Sequence, residues 1–317
     1  MNNYTYKLEK YSGKSSRYEC PKCHKQNQFT RYVDIETGES LSHDVGKCNR
    51  IDKCGYHYTP SEYFYNNNTA YLNNSEDSFS SNNTLPIVSC IDKEYLDATL
   101  SYYNYKDNNL TLFLDSIFGE DVTNHLINIY KIGTSSRYGG STTVFWQIDS
   151  NDIIRTGKLI KYNLEGHRIK GCNNWVHTVL NLNNFHLEQC LFGEHLLKYD
   201  SNATVGIVES EKTAIIMTAN MPNILWLASG GAEGINHKKV KILESRDVIL
   251  FPDTSIDKRI YLKWEQKAKD FGFGISDYLE KYTTEKQKQE GADIADIIVS
   301  DIIASKYINN INFSLTK

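Results

Sequence analysis

The chain has 317 residues, of which 40% are hydrophobic and 23% are charged, a balance typical of a soluble globular protein of about two or three domains. Its formal net charge of −4 excludes a uniformly basic surface, so any nucleic-acid contact has to come from local basic patches. No apolar run reaches the roughly 18 residues of a membrane span, and the N-terminus lacks the apolar core of a signal peptide. We therefore expect a cytoplasmic protein whose seven cysteines do not form a disulfide framework.

Two close pairs of cysteines, CPKC and CNRIDKC, lie in the first predicted domain, residues 1–63. Their four thiols belong to Cys20, Cys23, Cys48 and Cys54. This arrangement is typical of a tetrahedral zinc site, so we expect a structural Zn²⁺ ion. The second pair is spaced more widely than usual, which leaves His24 and His57 as substitute ligands.

The segment between the two pairs predicts a β-hairpin, because FTRYVDI alternates in polarity and is followed by the turn ETGE and by SLSHDVG. The first domain is therefore a predicted zinc ribbon. It is either purely structural or also binds nucleic acid, with Lys22 and Arg31 supplying positive charge beside Phe29, Tyr32 and Tyr56. In the purely structural alternative, the aromatic rings fill the small core of the ribbon.

After the ribbon come a predicted flexible linker, residues 64–85, and a middle α+β region, residues 86–200. The linker is rich in Asn and Ser and lacks apolar periodicity. In the middle region, the apolar spacing predicts helices in KEYLDATLSYY and in NNLTLFLDSIFGEDVTNHLINIY. TTVFWQID and TGKLIKYN are typical of adjacent strands, joined by the turn SNDI.

A strip of basic residues begins on the second of these strands. The candidates for contact with a single-stranded template or with nucleoside triphosphates are Arg155, Lys158, Lys161 and Arg168. The alternative is an ordinary solvated face of the sheet.

From residue 201 to residue 317, strand patterns alternate with helix patterns, which predicts a parallel sheet with helices on both faces. The predicted strands are ATVGIVES, NILWLASGG, RDVILFPD and FGISDYLE. The predicted helices are EKTAIIMTANM, INHKKVKILES, DKRIYLKWEQKAKDFG and a last one in GADIADIIVSDIIASKYI. Functional groups in such sheets collect at the carboxyl ends of the strands.

Acidic residues follow two of these strands: Glu209 comes after the first, and Asp253 after the third. If these strands are neighbours, the two carboxylates form a site for a divalent cation such as Mg²⁺. Two residues after Asp253 the chain has Ser255, a weak ligand. Asp257 would supply the missing carboxylate if its loop turns back, and otherwise the site would bind metal poorly.

The stretches IVESEKTA, LASGG and LFPD resemble the TOPRIM fold, which bacterial primases, topoisomerases and some nucleases share. The resemblance implies that Glu209 is an acid/base or metal-linked glutamate, that Asp253 is a metal ligand, and that Lys212 contacts phosphate. GADIADII resembles a later acidic motif of phage-type TOPRIM primases and offers Asp293 and Asp296. The expected fold class is α/β, with a β zinc ribbon, a mixed middle subdomain and a Rossmann-like TOPRIM domain.

The order of these parts resembles the first two-thirds of bacterial replicative primases, and more closely the small zinc-ribbon/TOPRIM proteins of mobile elements. The resemblance implies nucleotidyl transfer on single-stranded DNA with Mg²⁺ or Mn²⁺, nucleoside triphosphates as substrates, and as a partner a separate helicase or another replication or mobile-element protein. The alternatives are a non-catalytic nucleic-acid-binding accessory in replication or defence with a degenerate TOPRIM site, and a TOPRIM nuclease that uses the same acids.

Overall fold

The structure is a computed structural model that describes residues 6–35, 37–50, 54–60, 62–64, 88–101, 108–231 and 233–315. The chain divides into two compact units, Met1–Asn83 and Thr84–Lys317. Except for residue 64, the predicted linker lies outside the described residues. The division of the second unit near residue 200 stays a prediction. No helix in the described part of the chain is long and apolar enough to cross a membrane.

The first unit contains a four-stranded antiparallel sheet in the order β1-β2-β3-β4. Its strands are Tyr6–Leu8, Phe29–Asp34, Gly46–Cys48 and His57–Tyr58. The predicted hairpin is confirmed in β2 and β3, although β3 is shorter than SLSHDVG. Gly46 is required where the two strands pair, because a Cβ there would lie 2.2 Å from the Thr30 carbonyl oxygen and 2.5 Å from the Phe29 ring.

The second unit begins with helices that pack beside an antiparallel sheet in the order β5-β6-β7-β8. Its strands are Gly133–Ser135, Thr142–Ile148, Ile154–Tyr162 and Arg168–Trp175. The helices are α1 (Lys93–Ser101), α2 (Asn109–Phe118), α3 (Glu120–Tyr130) and α4 (Val176–Val179). The long predicted helix is divided into α2 and α3 at Gly119, whose φ of 84° ends the first helix. The predicted pairing of β6 with β7 is confirmed.

The rest of the second unit is built on a parallel sheet in the order β10-β9-β11-β12. Its strands are β9 (Val205–Val208), β10 (Leu225–Ala228), β11 (Val248–Leu250) and β12 (Gly274–Ile275). The helices are α5 (Glu211–Asn220), α6 (His237–Val240), α7 (Arg259–Phe271), α8 (Tyr278–Tyr282), α9 (Glu285–Glu290) and α10 (Ile294–Leu315). The predicted alternation of strands and helices is confirmed, and the mixed α/β fold class with it. Two elements are shorter than predicted: FGISDYLE forms only the strand Gly274–Ile275 before the helix Tyr278–Tyr282 begins, and the α-helix in INHKKVKILES is limited to His237–Val240.

Helices cover both faces of the parallel sheet, as the pattern of buried residues along β9 shows. Val205 and Ile207 pack with Trp264 of α7 in one core cluster. Val208, on the other face, packs with residues of α5 and with Ile294 at the start of α10. Burial of both faces is the reason that the strands are continuous apolar runs. Because the strands are parallel, the polar groups that follow them lie at one edge of the sheet, its carboxyl edge.

Candidate functional site

The sulfur atoms of the four ribbon cysteines lie within 4.8 Å of one another, with both pairs contributing. Cys20 Sγ and Cys54 Sγ are 3.6 Å apart. A tetrahedral zinc ion with Zn–S bonds of about 2.3 Å requires sulfur separations of about 3.8 Å, so this donor set fits zinc. Among the described residues neither His24 nor His57 joins the cluster. His24 Nδ1 lies 3.3 Å from a Glu19 carboxylate oxygen, and His57 Nε2 lies 2.9 Å from the Tyr32 hydroxyl.

The ribbon residues predicted to contact nucleic acid differ in their freedom to do so. Lys22 is exposed. The Arg31 guanidinium lies over the Tyr18 ring, 3.8 Å from its centroid, and Arg31 Nε donates to the His43 carbonyl oxygen at 3.1 Å. The Phe29 ring is fully buried in the ribbon core. The ribbon thus uses Arg31 and Phe29 for its own packing, which leaves Lys22 open to a partner.

The two acids that follow the first and third strands of the parallel sheet are brought together by strand order. β9 pairs directly with β11, with Ile207 opposite Leu250, so the condition under which the two carboxylates would lie close together is met. Glu209 follows the last residue of β9, and Asp253 lies three positions beyond the end of β11. Both side chains line one cleft of about 320 Å³.

The cleft has an acidic part and a basic part. Its carboxylates are Glu209, Asp253, Asp293 and Asp296. Its basic side chains are Lys158, His167, Arg168 and Lys212. The acids come from two strand ends and the start of α10, whereas the bases come from the antiparallel sheet and from α5. Such a surface is complementary to an anionic ligand that carries a divalent cation.

Crowding of the acids changes their protonation. Burial, together with the negative charges of Asp293, Glu209 and Asp296, raises the pKa of Asp253 to about 8. The pKa of Asp293 is also raised, first by burial and then by the charge of Asp296. Oxygen donors that repel one another in this way fit a hard cation such as Mg²⁺ or Mn²⁺, whose charge would offset the repulsion.

The loop after β11 does not turn Asp257 back to the cleft. The Asp257 carboxylate is 64% exposed and lies 3.8 Å from Arg259 Nε. Ser255 is buried, and its hydroxyl accepts a hydrogen bond from the backbone N–H of Ile260 at 3.3 Å. Neither side chain is among the described residues that line the cleft. The structure therefore separates Asp257 from Asp253.

The loop instead runs to the start of α10. The Thr254 backbone N–H and hydroxyl both donate to the Ala292 carbonyl oxygen, at 3.0 and 2.9 Å. Asp293 and Asp296 then cap α10 reciprocally: each backbone N–H donates to the other carboxylate, at 3.1 and 2.9 Å. The sequence indicated these two acids only through the resemblance of GADIADII to a primase motif, and in the structure both line the cleft.

The four residues of the predicted basic strip have different partners. Arg155 pairs with the buried Asp149 at 2.6 Å, and Lys161 donates to the Tyr138 carbonyl oxygen. Arg168 reaches the cleft, where it donates to the Ser210 hydroxyl at 3.1 Å. The structure therefore keeps Arg155 and Lys161 in internal contacts.

Two lysines complete the basic part of the cleft. Lys158 Nζ lies 3.0 Å from a carboxylate oxygen of Glu211, a partner that strand periodicity could not indicate. Lys212 Nζ donates to the Gly166 carbonyl oxygen at 3.3 Å and lies 3.8 Å from the Asp296 carboxylate. Lys212 therefore connects the basic and acidic parts of the cleft.

Comparison with protein families matches two parts of the chain. Residues 4–69 match the family described as a zinc beta-ribbon finger. Residues 108–254 match a domain of unknown function, DUF6371. A search of curated proteins gives no match.

Comparison with solved structures finds bacterial and phage primases at low similarity. The primase fragment of the bacteriophage T7 primase-helicase is 11% identical with a TM-score of 0.38, over 86% of this chain and 98% of that one. The Escherichia coli primase catalytic core is 10% identical with a TM-score of 0.40, over 68% and 85%. A DNA primase domain from Pseudomonas aeruginosa is 12% identical with a TM-score of 0.31, over 49% of each chain. The N-terminal part of the chain therefore matches a zinc β-ribbon family and contains the four-cysteine cluster of such a ribbon.

Proposed function

We propose that the protein is a primase-like nucleotidyltransferase that joins nucleotides on a single-stranded DNA template. The observation that supports this most directly is the cleft in which four carboxylates face Arg168 and Lys212. A nucleoside triphosphate bound with a divalent cation needs this combination of oxygen ligands and basic side chains. The TOPRIM resemblance of IVESEKTA, LASGG and LFPD points to the same chemistry.

In this proposal the acidic residues of the cleft bind the cation, and basic residues bind the phosphate groups. Glu209, Asp253, Asp293 and Asp296 would hold Mg²⁺ or Mn²⁺. A bound cation of this kind neutralises phosphate charge and activates the attacking hydroxyl. Arg168 and Lys212 orient the triphosphate, close to the N-terminus of α5, where Ser210 makes no side-chain cap and leaves backbone donors available.

The remaining parts of the proposal concern the surroundings of the reaction. The zinc ribbon contacts the template through exposed residues such as Lys22. The process is replication of a mobile element in the cytoplasm, with a separate helicase opening the duplex. These points follow from the resemblance to small zinc-ribbon/TOPRIM proteins.

The test is an assay of the purified protein with single-stranded DNA, nucleoside triphosphates and Mg²⁺ or Mn²⁺. We expect labelled oligomers from the wild type and none from Asp253→Ala or Asp293→Ala. Asp301→Ala is the matched control, because Asp301 is an exposed acid on the same helix as Asp296. Loss of product in Asp257→Ala would show that Asp257 belongs to the site after all.

The same assay separates the alternatives. Shortened DNA instead of new oligomers would identify a nuclease that uses the same acids with water as the attacking group. Tight DNA binding with neither product would identify a non-catalytic accessory, and would contradict the proposed transferase.

A further inference from the structure

The ammonium group of Lys158 has three acceptors inside the protein. It lies 3.0 Å from Glu211 Oε1, 3.3 Å from Glu211 Oε2 and 3.2 Å from the Gly230 carbonyl oxygen. Since the two Glu211 oxygens belong to one carboxylate, the ammonium is engaged by two groups of the protein, that carboxylate and the Gly230 carbonyl. The pair is also withdrawn from solvent, since the Lys158 side chain is 15% exposed and that of Glu211 is 1% exposed. Lys158 thus contacts a buried carboxylate and a backbone carbonyl group of the protein.

The two partners of Lys158 are both connected to the backbone of Glu209. Glu211 follows Glu209 by two positions, as the first residue of α5. Gly230 donates its backbone N–H to the Glu209 carbonyl oxygen at 3.0 Å. Because Lys158 belongs to β7 of the antiparallel sheet, its contacts connect that sheet to the segment of the parallel sheet that carries Glu209.

The loop that contains Gly230 is built to accept this contact. Gly230 has a φ of 80°, and a Cβ there would lie 3.6 Å from Glu211 Oε1. The preceding carbonyl, that of Ser229, is held by a second buried lysine, Lys239, at 3.3 Å. Two lysines therefore donate hydrogen bonds to consecutive carbonyl groups of one loop.

We infer that Lys158 is a positioning residue that holds the backbone of Glu209 in place through Glu211 and Gly230, and that it is not a ligand of the substrate phosphates. The inference rests on the role of Glu209 as a cation ligand in the proposed function. Groups that orient metal ligands without touching the metal commonly change its affinity about 10- to 100-fold when they are removed.

The test compares the affinity for Mn²⁺, measured by calorimetry on the full chain, with the KM for nucleoside triphosphate. We expect Lys158→Met and Glu211→Gln each to weaken Mn²⁺ binding about 10-fold or more and, at saturating Mn²⁺, to leave the KM for the triphosphate unchanged. Arg168→Met is the contrasting variant, since it should raise that KM without a change in Mn²⁺ affinity. Lys158→Arg keeps the charge and should restore part of the Mn²⁺ affinity.

A double variant, Lys158→Met with Glu211→Met, tests whether the loss of Mn²⁺ binding is caused only by unfolding. Replacing both members of a buried ion pair with apolar side chains avoids the uncompensated charge that a single substitution leaves. We expect this variant to give the circular dichroism spectrum of the wild type and still to bind Mn²⁺ weakly. Wild-type Mn²⁺ affinity in the double variant, or a Lys158→Met variant in which only the triphosphate KM rises, would overturn the inference.

The two proposals can fail separately. If the wild type makes no oligomers but the variants weaken Mn²⁺ binding as expected, the transferase is wrong and the positioning role stands. If the wild type does not bind Mn²⁺, the positioning role is overturned as well.

Discussion

The Thr213 hydroxyl donates a hydrogen bond of 2.5 Å to Asp293 Oδ2, between residues that are 80 positions apart in the sequence. Both side chains are buried. The other oxygen of Asp293 accepts from the backbone N–H of Asp296 at 2.9 Å. The first acid of the last helix is thus attached to the first turn of α5, next to the residues that follow β9.

Replacing Thr213 with valine should destabilise the protein, because it removes a donor from a buried carboxylate. Hydrogen bonds to charged groups contribute about 1.5–3 kcal/mol, and we expect the free energy of unfolding to fall by about that amount. Urea denaturation would measure the change. Thr213→Ser keeps the hydroxyl and is the control; equal losses in the two variants would show that the methyl group, rather than the hydrogen bond, matters.

Replacing Asp253 with asparagine should change how stability depends on pH. The folded-state pKa of about 8 lies above the ordinary value of 3.8, so the folded, metal-free protein retains a proton that the unfolded chain releases. This contribution to stability is complete below about pH 4 and is lost as the pH rises through about 8. Asp253→Asn removes this dependence, and the variant should be more stable than the wild type at pH 9.

Thermal unfolding in a chelator at pH 6 and pH 9 would measure this difference. Added Mg²⁺ should raise the Tm of the wild type more at pH 9 than at pH 6, because the carboxylate must lose its proton to bind the ion. Parallel stability curves for wild type and variant would contradict the raised pKa of Asp253.

Replacing Cys54 with serine should release zinc, because the ribbon then has three thiolates in place of four. Metal analysis should find one zinc ion per wild-type chain and substantially less in Cys54→Ser. Cys90 is an exposed cysteine of the other unit, and Cys90→Ser is expected to keep the full zinc content. Absence of zinc from the wild-type protein would contradict the prediction that the ribbon binds zinc.

Replacing Arg168 with methionine should weaken the binding of triphosphate. A charge-assisted hydrogen bond contributes about 1.5–3 kcal/mol, which corresponds to roughly a 10- to 100-fold increase in KM. Lys170 lies on the same strand, is exposed and does not line the cleft, so Lys170→Met is the matched control. Similar KM values for the two variants would assign the effect to general positive charge.

Much of the parallel sheet could be predicted because its strands are short apolar runs between helix patterns, and because neighbouring strand ends share an edge. The order of the strands was left open by the sequence, and the structure shows that β9 pairs with β11. The direction of the loop after Asp253 could not be predicted from the sequence, because it depends on hydrogen bonds from Thr254 to the Ala292 carbonyl oxygen, 38 positions away. Those bonds explain why Asp293, rather than Asp257, lies beside Asp253.

The basic strip shows a second limit of sequence reasoning. A count of charges on β7 treats Arg155, Lys158 and Lys161 as equivalent. In the fold each meets a different acceptor: the Asp149 carboxylate, the Glu211 carboxylate and the Tyr138 carbonyl group. Which of these positive charges remains available to a ligand depends on tertiary contacts that no periodicity records.

The position of α10 in the chain has a consequence for how the protein assembles the four carboxylates of the cleft during synthesis. Every strand of the parallel sheet precedes residue 276, whereas two of the four cleft carboxylates belong to Asp293 and Asp296. A nascent chain that has just completed the sheet therefore carries only half of the acidic groups. The mutual repulsion among all four arises only when the last helix has left the ribosome and packed against α5.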